Sequence, residues 1–171
     1  FVAKAPPDGY TLFHCNIASN GIASGLYAKL PYDGLKDFSP ITRVGATPNA
    51  LNVHPSMPVR TLKEFVAHAK ATPGKISYGH GGVGASPHLT MELFKTIARL
   101  DVVHIAYKGA GPLTVDQIGG HVMLSFSAPI VSKPYVESGK LRAIAVTSEK
   151  RWQGLPNVPS VAESGYPGFD V

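Results

Sequence analysis

The sequence predicts an α/β fold, and three observations carry the prediction. Short β-rich runs alternate with amphipathic helical stretches, glycine or proline marks most junctions, and the Ala50 to Thr147 stretch places a helix after nearly every strand. That stretch suffices for one complete doubly wound lobe. Residues 1–44 and 149–171 hold too few elements to close another. We read them together as a partial lobe one, with 45–148 as lobe two carrying the two crossover strands at its ends.

In chain order, Tyr10 to Cys15 reads as a short strand, and Ile41 to Val44 and Ala50 to His54 as extended segments separated by Pro48. Thr61 and Glu64 form a T-x-x-E capping box, with Leu62, Phe65, Val66 and Ala69 as the buried stripe of the helix it starts. Pro73-Gly74 ends that helix, and Lys75 to Tyr78 is the next strand. A glycine loop then leads into a helix with Leu89, Leu93, Phe94 and Ile97 expected on its inner face. Strand Val102 to Tyr107 precedes a helix expected from Pro112 to Gly119-Gly120. Strand His121 to Phe126 precedes a helix from Pro129 to Gly139, and Leu141 to Thr147 is the last strand. A weak helix is expected around Val158 to Ser164.

Composition narrows the function classes. With 44% apolar and 16% charged residues in a chain of 171, the sequence is that of an ordinary globular protein. The balance of 16 Lys plus Arg against 11 Asp plus Glu favours anionic partners. Those cations are scattered, however, and lack the basic stripe with interleaved aromatics that nucleic acid requires. Cys15 is the single cysteine, so no intrachain disulfide and no CxxC site can form. No run of 18 apolar residues is long enough to span a bilayer as a helix. Phe1 to Lys4 reads like the last turn of a helix already in progress, which leads us to expect a chain truncated at its front.

The chemically informative feature is a device used three times: a strand, a loop of small residues, and a proline at a plausible first helical position, namely Pro87, Pro112 and Pro129. Free N–H groups and the positive end of the helix dipole make such helix starts attractive to anions. If the strands are parallel, the three loops share one edge of the sheet, where open α/β sheets bind ligands. The longest loop, Gly79-His80-Gly81-Gly82-Val83-Gly84-Ala85-Ser86, carries more glycine than a turn needs.

Gly79, Gly81 and Gly84 also satisfy G-x-G-x-x-G, which raises an NADP-binding enzyme as the alternative. The acid expected about 20 residues on is missing, and Tyr107-Lys108 stands there instead. A nucleophile elbow fails because His88 occupies the position of the second glycine. Ser86 is more simply read as a helix cap. None of the seven histidines has H-x-x-x-H spacing, so no metal site is expected. His80 stands apart because it lies inside the glycine loop and could hydrogen-bond an anion.

Several motifs in order along the chain now resemble the tripartite tricarboxylate transporter receptor family, the Bug solute receptors. They are Ala5-Pro6-Pro7-Asp8-Gly9-Tyr10-Thr11-Leu12, Leu30-Pro31-Tyr32-Asp33, Asp37-Phe38-Ser39-Pro40-Ile41 and Pro73-Gly74-Lys75-Ile76-Ser77-Tyr78-Gly79. Ser86-Pro87-His88-Leu89 with Glu92-Leu93-Phe94, Tyr107-Lys108-Gly109, Leu155-Pro156-Asn157-Val158-Pro159 and Glu163-Ser164-Gly165 complete the set.

The resemblance implies a type II periplasmic-binding-protein fold, a periplasmic location, no catalytic activity and no cofactor. It implies a receptor whose two lobes close over a small carboxylate and pass it to membrane transporter subunits. Ligand contacts implied by the resemblance are Gly82, Gly84, Ala85 and Ser86 in the glycine loop, Lys108 and Gly109 in the next, and Ser127 in the third. Asn16, Ser19 and Asn20 are the implied contacts of lobe one. Ser127 stands where the family often has Asp, which favours carboxylates over amino acids. Asn16 to Asn20 departs from the usual wording of its loop, so the ligand's identity does not transfer. The family's first strand and its later lobe-one elements are not in this sequence. We therefore expect weak carboxylate binding, and self-association through an uncovered sheet edge.

Overall fold

The computed structural model describes residues 1–171, which form two compact units, Phe1–Gly45 and Ala46–Val171. The second unit is built on a five-stranded sheet of order β3-β2-β4-β1-β5. Its elements are β1 (Ala50–Val53), α2 (Leu62–Ala71), β2 (Ser77–His80), α3 (Ser86–Ala98), β3 (Val103–Ala106), α4 (Ala110–Ile118), β4 (Leu124–Ser127), α5 (Pro129–Glu137) and β5 (Arg142–Val146). The short helix of the first unit is α1 (Ala23–Leu26).

The sheet is mixed. β2 runs parallel to β3 and β4, whereas β1 is antiparallel to both β4 and β5. Ala50 is paired with Ser127 on one side and Val146 on the other. The chain thus enters the sheet by β1 and leaves it by β5 as adjacent strands. The Asn49 amide donates to Thr147 Oγ1 at 2.8 Å across this junction. β1 and β4, both central, are buried on successive residues, polar Asn52 and Ser125 included, as expected of strands covered on both faces of the sheet. β3 lies at the edge and is exposed along its length.

The main core joins Leu51, Phe65, Tyr78, Met91, Phe94, Leu124, Phe126 and Ile144. α2 starts as its sequence predicts: the Glu64 amide donates to Thr61 Oγ1 at 3.2 Å, and Leu62, Phe65 and Ala69 are buried. Glu64 Oε2 accepts from the Arg60 amide, one residue before the cap, which completes a shifted form of the capping box.

α3 turns a different face inward from the one expected. Thr90, Met91, Phe94 and Ala98 are buried, while Leu93 and Ile97 are about half exposed at 45% and 48%. Two overlapping stripes of helical period compete in this sequence, and the tight approach of Ala98 and Met91 to the core decides between them. α4 begins at Ala110, two residues before Pro112, because Gly109 with φ of 109° supplies the turn into it. Proline is second in α3 and first in α5.

Residues 149–171, expected with the first 44, pack instead onto the second unit. Val161 and Phe169 belong to its core, and the rings of Phe169 and Tyr166 meet Phe94 edge-on at 5.9 and 5.1 Å. The Val161 amide donates to the Val146 carbonyl and the Val146 amide to the Pro159 carbonyl, which aligns the tail beside β5. Burying Phe169 alone contributes roughly 2 kcal/mol. The expected helix at Val158 to Ser164 is a turn. Its start is held by Ser160 and Glu163, each accepting the other's backbone amide.

Within Phe1–Gly45, the expected strands Tyr10 to Cys15 and Ile41 to Val44 do not form. Neither run has a partner strand in this unit, and Leu12 and Ile41 are exposed. A π-helical turn at Ala18–Ile22 leads into α1, where Ala23 is buried. The Phe13 ring stacks on Phe38 at 5.1 Å, and Tyr32 donates to the Ser19 carbonyl.

Candidate functional site

The carboxyl ends of β2, β3 and β4 lie on one edge of the sheet because these strands are mutually parallel. The loops before α3, α4 and α5 therefore gather there. The first two touch: the Gly109 amide donates to the Gly81 carbonyl at 3.0 Å, and the Tyr107 amide donates to the His80 carbonyl at 2.9 Å. A side chain at Gly81 would sit 3.1 Å from the Gly109 backbone, so this approach depends on glycine.

Each glycine of the 79–84 loop has a different task. Gly79 lies under α4, where an added Cβ would collide with Leu113 Cδ1. Gly84 adopts φ of 78°, a left-handed conformation suited to glycine, and its amide donates to His88 Nδ1 at 3.2 Å. Gly82 faces open space. Gly79 thus serves packing and the Gly84 donor is already used, so two of the three glycines of the dinucleotide fingerprint do not present themselves to a phosphate.

Around the start of α3, the Ala85 amide is bonded to the Gly82 carbonyl and the Gly82 amide faces His80 Nδ1. The amides of Val83 and Ser86 have no protein acceptor. These two donors, with the positive end of a 13-residue helix, are what this loop offers an anion.

Ala85, not Ser86, occupies the cap position of α3, and no side chain caps it. Ser86 instead accepts a hydrogen bond from Asn49 Nδ2 at 3.0 Å, and Thr90 accepts another from the same amide at 3.1 Å. Asn49 precedes β1, so a polar contact links the glycine loop to the strand where the chain enters the lobe. Ser127 is tied likewise to β1: its Oγ accepts from Asn52 Nδ2 at 3.0 Å. Asn52 Oδ1 is buried with no protein partner. Lys108 is exposed on the β3–α4 loop and makes no ion pair in the structure.

The structure thus brings His80, Gly82, Gly84, Ala85, Ser86, Lys108, Gly109 and Ser127 to one sheet edge. Asn16, Ser19 and Asn20 lie in the other unit, where they bond mainly to one another: Ser19 Oγ donates to Asn20 Oδ1 at 2.8 Å, and the Ser19 amide to Asn16 Oδ1 at 3.1 Å. Asn49 and Asn52 were missed by sequence reasoning. Asn49 just before a short extended run and Asn52 within it were the available signal.

Spacing along the chain gives no sign of the histidine cluster that the fold assembles. His80, His88 and His104 come from β2, α3 and β3, and one ring nitrogen from each lies within 4.8 Å of the others. Burial holds His80 and His88 below the ordinary histidine pKa, and the neighbouring histidines push the same way. Tyr78 donates to Glu92 Oε1 at 2.6 Å, and Lys95 pairs with the same carboxylate at 2.9 Å. Burial works to raise Glu92, but these hydrogen bonds and the Lys95 charge outweigh it and keep its pKa below the usual carboxylate value. At the opposite sheet edge, Pro55 to Arg60, Glu64 and Arg142 line a concavity of about 240 Å³ that contains none of these groups.

A mixed α/β unit with its loops and helix starts gathered on one sheet edge is an architecture that binds ligands there, and solute-binding proteins are among those that use it. The chain belongs to the family described as "Tripartite tricarboxylate transporter family receptor", whose sequence model matches residues 1–171. It is 35% identical over 168 residues to Protein BugT of Bordetella pertussis, covering 98% of this chain and 52% of that one. Among solved structures, R. palustris Rpa4515 with adipate superposes with a TM-score of 0.92 at 35% identity, covering 99% of this chain and 57% of the other. Periplasmic binding protein BugD gives 0.87 at 33%, with 99% and 56% covered. MatC (Rpa3494) from Rhodopseudomonas palustris with bound malate gives 0.88 at 28%, with 99% and 58% covered. The chain spans about half the length of the curated relatives it matches. The family is one of periplasmic solute receptors, which is not an enzyme class.

Proposed function

We propose that this chain supplies one wall of a periplasmic receptor that holds a small carboxylate at the edge formed by the β2–α3, β3–α4 and β4–α5 loops and delivers it to a membrane transporter. The observation that carries this is the convergence of unpaired Val83 and Ser86 amides, the start of α3 and the exposed Lys108 on one edge of the sheet. Each favours a negative charge. Structural relatives holding adipate and malate support a dicarboxylate as ligand.

In this role Gly82, Gly84, Ala85 and Ser86 approach the carboxylate through backbone and hydroxyl. Lys108 and Gly109 close over it, and Ser127 serves its far end. His80 is buried under the loop and orients Gly82 rather than touching the ligand. Asn16, Ser19 and Asn20, in the Phe1–Gly45 unit, are a separate proposed set of polar contacts.

Calorimetry against adipate, malate, citrate, aspartate and benzoate, with NADP⁺ as control, tests the proposal. Saturable binding of a dicarboxylate that Lys108→Ala weakens about tenfold, the loss of one charge-assisted hydrogen bond, is the expected result. Binding of NADP⁺ alone, or carboxylate binding indifferent to Lys108 and Ser86, would overturn it.

A further inference from the structure

We propose that His80, His88 and His104 form a binding site for a divalent transition-metal ion of the zinc type. The three imidazoles pack as a cluster, with ring centroids 4.2 Å apart for His80 and His88, 5.4 Å for His80 and His104, and 5.6 Å for His88 and His104. His80 Nε2 and His104 Nδ1 stand 3.2 Å from each other. Two imidazole nitrogens at about 2.0 to 2.1 Å from a tetrahedral zinc are roughly 3.3 to 3.4 Å apart, so this pair already has the spacing of two ligands.

Outer contacts orient the first of them. His80 Nδ1 lies 2.9 Å from the Gly82 carbonyl; in the tautomer that donates its proton there, the Nε2 lone pair is aimed at the cluster and Nδ1 no longer accepts the Gly82 amide. A backbone carbonyl in this position is the usual partner of a metal-bound histidine. His88 is the ligand that must adjust. Its Nδ1 accepts the Gly84 amide, and a neutral His88 can ligate through either nitrogen only by giving up that bond.

Burial grades from His80, fully enclosed, through His88 to the exposed His104, so an ion can enter from the His104 side and keep a water or an outside ligand as its fourth partner. The Glu92 carboxylate behind the cluster, oriented by Tyr78 and Lys95, offsets part of the added positive charge. Borderline metals that favour imidazole fit this donor set; calcium and magnesium, which require oxygen, do not.

The alternative is a hydrogen-bonded histidine cluster that never meets a metal, and one experiment separates the two. The 171-residue chain, stripped with a chelator, is titrated with Co²⁺ and followed by its visible absorption, then with Zn²⁺ in competition. One ion per chain with the intense bands of a tetrahedral or five-coordinate site is expected. His88→Gln and His104→Gln should each weaken binding by at least about 10- to 100-fold, the range seen even for loss of outer-shell partners. His68→Gln, on α2, should leave it unchanged. His104 lies on an exposed edge strand, so its substitution spares the fold, which circular dichroism checks. Binding without those bands, or binding equally strong in all three variants, overturns the site.

Discussion

Gly79→Ala is the sharpest test of how the glycine loop is built. At this position β2 passes beneath α4 so closely that a new methyl group meets Leu113 Cδ1, with Val122 Cγ1 at 3.2 Å and Tyr107 Cε2 at 3.3 Å. Leu113 and Val122 are buried, at 3% and 1% exposure, and have little room to retreat. Overpacking of this kind costs about 1 to 3 kcal/mol. Replacing glycine by alanine at a tolerated φ returns about 0.4 to 1 kcal/mol by restricting the unfolded chain. The net loss should be about 1 to 2 kcal/mol, or roughly 2 to 8 °C in melting temperature for a chain of this size.

Urea unfolding followed by Trp152 fluorescence measures it, since Trp152 packs in the same unit. Leu113→Ala should also destabilise, by about 2 to 5 kcal/mol. The double variant should be more stable than the sum of the two by at least about 1 kcal/mol, because the shortened side chain accepts the new methyl. Simple additivity, or a Gly79→Ala variant as stable as the parent, would refute the packing role assigned to this glycine.

Three further outcomes follow from the same structure. Thr61→Ala leaves the Glu64 amide without its cap and should cost about 1 kcal/mol in urea unfolding. Asn49→Ala strands Ser86 and the buried Thr90 hydroxyl, and should destabilise by about 1 to 3 kcal/mol while weakening dicarboxylate binding through the loosened loop. The Ser160 amide foremost, then Arg151, hold Glu163 below the usual glutamate pKa. A carboxylate with a depressed folded-state pKa stabilises above its ordinary value and loses that contribution as pH falls through the folded one. The parent should therefore lose more stability than Glu163→Gln between about pH 6 and about pH 3, and parallel pH profiles would contradict this.

Features encoded locally were legible in the sequence. The Thr61 cap, the glycine loop and prolines 87 and 129 each act within one or two turns of chain; the cap and Pro129 stand where their residues predict, and Pro87 one residue further into its helix. The order and direction of strands are not local, and β1 gives no sign in Ala50 to Val53 that it runs against its neighbours. The tail eluded pattern reading because Val161, Tyr166 and Phe169 reach the core from turns with no repeating period. On α3 two apolar stripes overlap, and only the neighbouring core distinguishes Met91 from Leu93.

The candidate site divides in the same way. A glycine loop before a proline-started helix is legible from Gly and Pro spacing, whereas Gly84, Ser86 and Lys108 as contacts come from the family resemblance. The histidine cluster is not legible, because 80, 88 and 104 meet only once β2, α3 and β3 have been laid side by side. Asn49 and Asn52 were hidden for a related reason: their partners Ser86 and Ser127 lie 37 and 75 residues away.

The pairing of Ala50 with Val146 has a mechanical meaning. Residues 49 and 147 emerge from the sheet side by side, so tension applied between them would open the β1–β5 ladder one hydrogen bond after another, as a zipper parts, rather than shearing all of them together. Sequential rupture needs little force. The unit should therefore resist heat through its core of Phe65, Phe94 and Phe126, yet yield readily when pulled at residues 49 and 147.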